Sequence, residues 1–146
     1  VRRPRPPAPV IVDTSALVAV LRREEGHAPI LDALLREDSL VPAPVLVEFA
    51  RVAAGPGNVP DPRAAALLDT LLGAGRAAVL PFGAEAAREA AAANPEHGRG
   101  NGRGGVLNVL DLMVLGAARA EGRPILCTGR DFAAAGAALH PASRPW

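Results

Sequence analysis

The sequence predicts a three-layer α/β/α sandwich with a mainly parallel sheet of four to five strands. Two observations predict this class: short apolar, β-branched runs recur along the chain, and stretches with helical spacing separate them. Hydrophobic residues make up 49% of the 146 residues, which is enough for one domain with a substantial core. We therefore expect a single domain over residues 10–146, preceded by a flexible Pro/Arg-rich tail over residues 1–9.

The elements follow from apolar periodicity and from the Gly and Pro residues that bound each run. The predicted strands cover residues 10–13, 39–42, 78–81 and 125–127, with a fifth, edge strand near 139–140 that Pro141 limits. The predicted helices cover residues 15–23, 29–36, 44–54, 61–72, 83–93 and 107–121, and a short helix follows residue 131. Residues 94–105, which are almost entirely Gly, Arg and polar, break this pattern.

Composition excludes several classes of protein. The net charge is only +1, so overall charge does not draw the whole molecule to nucleic acid. Every basic residue except His is Arg. No apolar run approaches the roughly 18 residues of a membrane span, and the basic N-terminus is not followed by the apolar segment of a signal peptide. The single cysteine, Cys127, excludes an internal disulfide and is interpreted as a small core residue. We therefore expect a cytoplasmic protein without a membrane partner.

The first predicted strand runs directly into Asp13, so this carboxylate lies at the C-terminal edge of the sheet. Ligands of open α/β sheets bind just outside the carboxyl ends of the strands. Thr14 and Ser15 follow where a helix start requires oxygen side chains. The alternative interpretation, that Asp13 only caps the next helix, remains open at this point.

Three further acids have surroundings unlike those of surface charges. Glu48 lies between Val47 and Phe49, Asp111 lies within an apolar helical run, and Asp131 follows the fourth strand. A charge in an apolar run is costly unless it is paired or binds a metal. Each acid also has a structural interpretation: Glu48 paired with Arg51, Asp131 as a helix cap, and Asp111 as a purely structural residue.

The predicted topology brings these four acids to one edge of the sheet. Asp13 and Asp131 leave parallel strands at that edge, and Glu48 lies in the early turns of a helix that starts there. The long loop at 94–105 would bring the start of the helix with Asp111 to the same place. Oxygen ligands without His or Cys suit Mg²⁺ or Mn²⁺, which can activate water and shield a phosphodiester.

The ordered motifs resemble the PIN domain and, more narrowly, the VapC-type toxins of bacterial toxin–antitoxin pairs. The resemblance covers most of the chain and is carried by Val12-Asp13-Thr14-Ser15-Ala16-Leu17, Glu48 in an apolar helix, Leu107-Asn108-x-x-Asp111, and Leu126-Cys127-Thr128-Gly129-Arg130-Asp131-Phe132. It implies a Mg²⁺-dependent endoribonuclease, with Mn²⁺ as a possible substitute. It also implies a homodimer and a VapB-like antitoxin that blocks the site.

The resemblance further implies a role for each motif residue. Asp13, Glu48, Asp111 and Asp131 would form the acidic cluster, with Asp13 and Asp111 as the main metal ligands. The polar neighbours would hold metal-bound water or orient the carboxylates, and these are Thr14, Ser15, Asn108 and Thr128. Many members carry a further acid after the last motif, where this chain has residues 133–136, Ala-Ala-Ala-Gly.

Arg99 and Arg103, on the Gly-rich loop beside the acids, are candidates for binding RNA phosphates, and the alternative is a disordered connector. The G-x-G-x-x-G match in this loop follows no strand and is rejected as a dinucleotide site. Two other functions remain as alternatives. One is a non-catalytic interaction module, and the other is an aspartyl-nucleophile phosphatase, against which Ser15 argues because those enzymes usually place a second acid there.

Overall fold

The computed structural model describes residues 2–4 and 8–146, and within these residues four parallel strands form one sheet. The strands are β1 (Val10–Val12), β2 (Ser39–Pro42), β3 (Ala77–Leu80) and β4 (Ile125–Leu126). Their order across the sheet is β3-β2-β1-β4. The predicted α/β class with a parallel sheet is confirmed. The predicted flexible tail lies in part outside the described residues, at positions 1 and 5–7.

The strand order changes direction at β1. The chain places β2 and β3 on one side of β1 and then returns to place β4 on the other, with Ile11 beside Ile125 and Val12 beside Leu126. A crevice forms at the carboxyl ends of the strands at such a switch point, and ligands bind there. Asp13 and the turn after β4 therefore meet at one crevice.

Helices provide the crossover connections that parallel strands require. They are α1 (Thr14–Arg22), α2 (His27–Arg36), α3 (Ala43–Ala54), α4 (Pro62–Gly73), α5 (Ala84–His97), α6 (Val109–Glu121) and α7 (Asp131–Ala134). None of the helices in the described part of the chain is long and apolar enough to cross a membrane.

The core is centred on β1, whose three residues are all buried. A parallel strand covered by helices has no solvent-facing side, which explains the continuous apolar run. The largest fully buried side chains include Phe49, Leu17 and Leu115. Each of them contributes roughly 1.5–3 kcal/mol through burial. Cys127 is fully buried, as predicted for a core residue.

Helices α5 and α6 pack closely because the residues between them are small. A Cβ atom at Gly116 would lie 2.4 Å from the carbonyl oxygen of Ala86 and 2.8 Å from the Cβ of Ala90. The Ala-rich sequence of α5 thus serves close helix packing, which in turn fixes the position of α6 relative to the sheet.

Two predicted elements differ from the structure by more than two residues. Helix α5 continues to His97 rather than ending at residue 93, although Pro95 lies inside it. A proline in the last turn removes only one helical hydrogen bond, and the Gly98 N–H closes the turn on the carbonyl of Asn94 at 2.8 Å.

The predicted fifth strand is also wrong, because the C-terminal segment makes only isolated parallel bridges, Ile125 with Leu139 and Thr128 with Arg144. Pro141 has no N–H to donate, and a turn closed by Ser143 N–H on the His140 carbonyl interrupts the pairing.

Candidate active site

The two carboxylate oxygens of Asp13 have different surroundings. Asp13 is the N-cap of α1, and its Oδ2 accepts hydrogen bonds from the Ser15 N–H at 3.0 Å and the Ser15 hydroxyl at 2.6 Å. The side chain is only 5% exposed, and its Oδ1 has no hydrogen-bond partner within residues 2–4 and 8–146. The cap interpretation is therefore correct for one oxygen, while the other remains available to a ligand.

Ser15 joins the ends of the two central strands. Its hydroxyl donates to Asp13 and accepts the N–H of Thr128 at 2.9 Å, although Ser15 and Thr128 are 113 residues apart. The Asp13 N–H also donates to the carbonyl of Leu126 at 3.0 Å. These bonds hold the carboxylate against the turn that leads from β4 to Asp131.

The C-terminal segment supports the same turn from the other side. The Ser143 hydroxyl accepts the Cys127 N–H at 3.1 Å and donates to the Ile125 carbonyl at 3.0 Å. Arg144 exchanges backbone hydrogen bonds with Cys127 and Gly129. The backbone after β4 is thus fixed by Ser15 on one side and by residues 143–144 on the other.

Asp111 has a structural role at the start of α6. It forms a capping box with Asn108: the Asp111 N–H donates to Asn108 Oδ1 at 2.8 Å, and the Asn108 N–H donates to Asp111 Oδ2 at 3.0 Å. This arrangement satisfies two donors at the start of α6 and fixes the carboxylate geometrically. The sequence interpretation of Asn108 as a residue that orients Asp111 agrees with this contact.

Glu48 and Asp131 complete the group of acids. Glu48 is half-buried on α3, and no ion pair joins it to Arg51 in the part of the chain that the structure describes. Asp131 is exposed at the first position of α7, where Arg130 takes the N-cap position and makes no capping hydrogen bond. The structure therefore supports neither an ion pair between Glu48 and Arg51 nor a helix-capping role for Asp131.

The electrostatics show that these acids influence one another. Burial raises the pKa of Asp13 from 3.8 to about 6; the Ser15 hydrogen bonds oppose this rise, and the charges of Asp111 and Glu48 add to it. Burial also raises the pKa of Asp111, which the Asn108 N–H lowers and the charges of Glu48 and Asp131 raise further. Asp111 and Glu48 thus lie within electrostatic range of Asp13, and Asp131 lies within range of Asp111.

Two predicted polar neighbours are placed differently from Ser15 and Asn108. Thr14 is buried at the start of α1, and its hydroxyl has no partner among the described residues. Thr128 reaches the site through its backbone N–H, which donates to Ser15. This contact uses the Thr128 backbone and not its side-chain hydroxyl.

The Gly-rich loop is held by Asn101, which the sequence reading did not single out. The Asn101 amide donates to the carbonyls of Pro95 and Glu96, both at 3.0 Å, and its oxygen accepts the N–H groups of Arg103 at 2.8 Å and Gly105 at 3.0 Å. An Asn between two glycines is a typical turn residue and was the available signal. The loop is therefore built around one side chain and is not a structureless connector.

The two loop arginines differ in their surroundings. The charge of Arg99 lowers the pKa of Asp111, as the smallest of the effects on that group. The Arg103 guanidinium donates to the Pro95 carbonyl instead. Arg99 is therefore the loop cation whose charge acts on the acidic group.

The donor set fits a hard divalent cation. Asp13 Oδ1 is a buried oxygen without a partner among residues 2–4 and 8–146, and the neighbouring acids disfavour one another's charge until a cation compensates them. Within these same ranges no three His, Cys, Asp or Glu side chains are gathered closely enough to hold one ion among them. Mg²⁺ needs only one or two carboxylates because it retains several waters.

Comparisons with known proteins agree on one family. The PIN domain model matches residues 10–138. Ribonuclease VapC42 of Mycobacterium tuberculosis is 36% identical over 124 residues, which cover 84% of this chain and 92% of that relative. Ribonuclease VapC28 of the same species is 32% identical over 130 residues, covering 84% and 91% respectively.

Solved structures show the same fold. Mycobacterium tuberculosis VapC20, a sarcin-ricin loop cleaving toxin, superimposes with a TM-score of 0.68 at 19% identity, over 88% of this chain and 95% of that one. VapBC2 from Rickettsia felis, bound to a DNA fragment from its promoter, gives 0.68 at 16% identity over 95% and 99%. The matched family model and the 36% identity, together with the geometry above, lead to one conclusion: the chain belongs to the PIN domain family and, within it, to the VapC ribonucleases.

Proposed function

We propose that this chain is a divalent-metal-dependent endoribonuclease toxin that hydrolyses RNA phosphodiester bonds in the crevice where β1 and β4 end. The observation that carries the proposal is the state of Asp13. Its carboxylate is buried, one oxygen has no partner in the described part of the chain, and two further acids oppose its ionisation. A helix cap needs only Oδ2, so capping alone does not explain this arrangement.

Asp13 and Asp111 are the residues that would hold the metal, Mg²⁺ or in its place Mn²⁺. Asp13 offers Oδ1, which has no partner among the residues that the structure describes, and the capping box with Asn108 fixes the orientation of Asp111. Ser15 and Thr128 fix the other wall of the site, and Thr14 offers a buried hydroxyl. When bound, the cation would shield the phosphodiester charge and make attack by water easier.

Glu48 and Asp131 are more accessible than Asp13 and are suited to proton transfer. In hydrolysis, a water oxygen forms a bond to phosphorus and loses a proton, while the bond from phosphorus to the ribose oxygen breaks and that oxygen takes up a proton from solvent. A half-buried and an exposed carboxylate beside the metal ligands can accept this proton and release it to solvent. Arg99, whose charge already acts on Asp111, is placed to bind an RNA phosphate, and we include Arg103 in RNA binding.

We further propose that a VapB-like antitoxin covers this site and that the toxin forms a homodimer in the cytoplasm. Structural neighbours include VapBC from Salmonella typhimurium, described as a DNA-bound complex. On this chain, Val47 and Val109 are 72% and 68% exposed, and they adjoin Glu48 and Asn108 in the sequence. Apolar side chains beside a charged crevice suit a protein that covers both.

Cleavage of total cellular RNA tests the activity. Purified protein is incubated with Mg²⁺, with Mn²⁺ or with EDTA, beside Asp13→Asn purified in the same way. We expect discrete fragments that require metal and that the variant does not produce. Equal behaviour of wild type and variant would contradict the proposal and favour the non-catalytic module.

Partner binding is tested separately. Titration with the small protein encoded next to this gene should abolish cleavage at a stoichiometric ratio, and light scattering should give the mass of a dimer for the free toxin. Inhibition without a complex on gel filtration would contradict the proposed blocking of the site.

A further inference from the structure

A cavity of about 260 Å³ lies beside the acidic group, between the loop after α5 and helix α7. Asp131 lines one side of it, and Glu96, His97 and Arg103 line the other. The cavity therefore shares Asp131 with the acidic group and Arg103 with the proposed RNA-binding arginines, and none of the other three acids lines it. Because Asp131 belongs to both, RNA cleaved at the acids would bring the nucleotide next to the cut close to this cavity.

The wall of this cavity is already ordered. Asn101 makes four hydrogen bonds that close the loop on the end of α5. Gly105 allows the loop to pass close to α5, since a Cβ there would lie 2.2 Å from the carbonyl oxygen of Gly98. A site with fixed walls binds without the entropy loss of ordering a loop.

Arg103 supplies a flat surface in this cavity, where none of the lining residues is Phe, Tyr or Trp. These aromatic residues are 3% of the sequence, and all four of them lie outside this lining. Unpaired RNA bases stack on aromatic rings or on guanidinium planes. The Arg103 guanidinium donates to the Pro95 carbonyl, which restricts the orientation of its plane.

The other surroundings suit a base as well. Val106 and Ala134 give the cavity apolar surface, and the imidazole of His97 and the carboxylate of Glu96 offer hydrogen-bonding groups for a base edge. The volume lies just below the roughly 300–1,000 Å³ that drug-sized ligands occupy. One nucleoside is a ligand of suitable size.

We propose that this cavity is a base subsite, which takes one unpaired RNA base next to the cleaved phosphodiester. The base stacks on Arg103, and Glu96 and His97 read its edge. This inference rests on the proposed ribonuclease function and adds to it the part of the chain that selects the sequence at the cut. The substrate class that it requires is single-stranded RNA, because a paired base cannot enter the cavity.

The test measures base preference and not activity alone. A single-stranded RNA containing one cut site found in total RNA is synthesised with each of the four bases on either side of the cut, and kcat/KM is measured for every version. We expect the wild type to prefer one base at one of these positions by roughly 10-fold. Arg103→Ala and His97→Ala should remove most of that preference, measured as the ratio of kcat/KM between the preferred base and the other three, whatever their effect on the absolute rate.

Arg103→Lys distinguishes stacking from charge, and as a smaller change than Arg103→Ala it is less disruptive to the loop. Lysine retains the positive charge but not the plane, so loss of the base preference in this variant as well would assign the preference to stacking and not to charge. Arg119→Ala, in a separate cavity at the far end of α6, is the matched control and should alter nothing. Thermal unfolding of each variant checks that it is folded.

The outcomes separate the two proposals. Metal-dependent cleavage with an unchanged base preference in folded Arg103 and His97 variants would overturn the subsite and leave the ribonuclease function intact. Absence of metal-dependent cleavage by the wild type would overturn the function, and the subsite with it.

Discussion

Replacing Asp13 with Asn should stabilise the metal-free protein at neutral pH. The carboxyl pKa is raised from 3.8 to about 6, so the folded state disfavours the ionised form. At about 1.4 kcal/mol per pKa unit, this corresponds to about 3 kcal/mol of lost stability above pH 6. Asparagine retains an oxygen for both Ser15 hydrogen bonds but places an unpaired amide where Oδ1 lies, at about 1 kcal/mol. The expected net gain is about 2 kcal/mol.

The stability difference between the wild type and Asp13→Asn should depend on pH in a defined direction. A group whose pKa is higher in the folded state contributes stability below its unfolded pKa and loses it as the pH rises through the folded value. The wild type should therefore lose stability between about pH 4 and pH 6 relative to Asp13→Asn, and the difference should stay constant above pH 7. Urea unfolding followed by circular dichroism in EDTA, at pH 4 to 8, measures this difference directly.

A control and a metal titration complete the experiment. Asp69→Asn changes an exposed acid on α4 and should show no such pH-dependent difference. Excess Mg²⁺ should raise the unfolding free energy of the wild type by about 1.4 kcal/mol at ten times its dissociation constant and should not affect Asp13→Asn. A less stable Asp13→Asn protein at pH 7.5, or a difference that does not vary with pH, would refute the reasoning.

Three other substitutions test the surrounding structure. Ser15→Ala removes the hydroxyl that links Asp13 to the turn after β4 and should lower the unfolding free energy by about 1–3 kcal/mol. Because that hydroxyl lowers the Asp13 pKa, its loss should also move the acid limb of the pH dependence of cleavage to higher pH. Gly116→Ala should destabilise by about 1–3 kcal/mol in urea unfolding despite its better helix propensity, whereas Gly73→Ala, with open space around it, should not. Asn101→Ala should speed hydrogen exchange of the Arg103 and Gly105 amides, which donate to its side chain, with little change in global stability. Unchanged exchange would contradict the role of Asn101 in ordering the loop.

The sequence by itself determined most of the secondary structure and the identity of the acids. Apolar runs of the right length located all four strands within about one residue, because a strand buried on both faces must be apolar throughout. Asp111 was predicted as a site residue for a similar reason, since a charge in an apolar helix is costly without a partner. Both signals depend only on neighbours within one element.

Where local signals failed, a longer-range contact or a turn decided the outcome. The Gly, Arg and polar composition after residue 93 predicts an earlier end to α5, but the last turn closes through Gly98 and the loop then folds back onto the helix through Asn101. The segment near residue 139 has strand-like residues, but the turn at 140–143 limits it to isolated bridges. Neither contact can be inferred from periodicity.

Only the tertiary structure decided how the site is assembled. The strand order β3-β2-β1-β4 creates the crevice between β1 and β4, and the sequence permits other orders of the same parallel strands. The Ser15 to Thr128 bond, the different surroundings of the two Asp13 oxygens and the cavity beside Asp131 all join segments far apart in the chain. Burial and long-range hydrogen bonding are properties of the packed molecule, so the sequence names the acids and the fold sets their protonation and their neighbours.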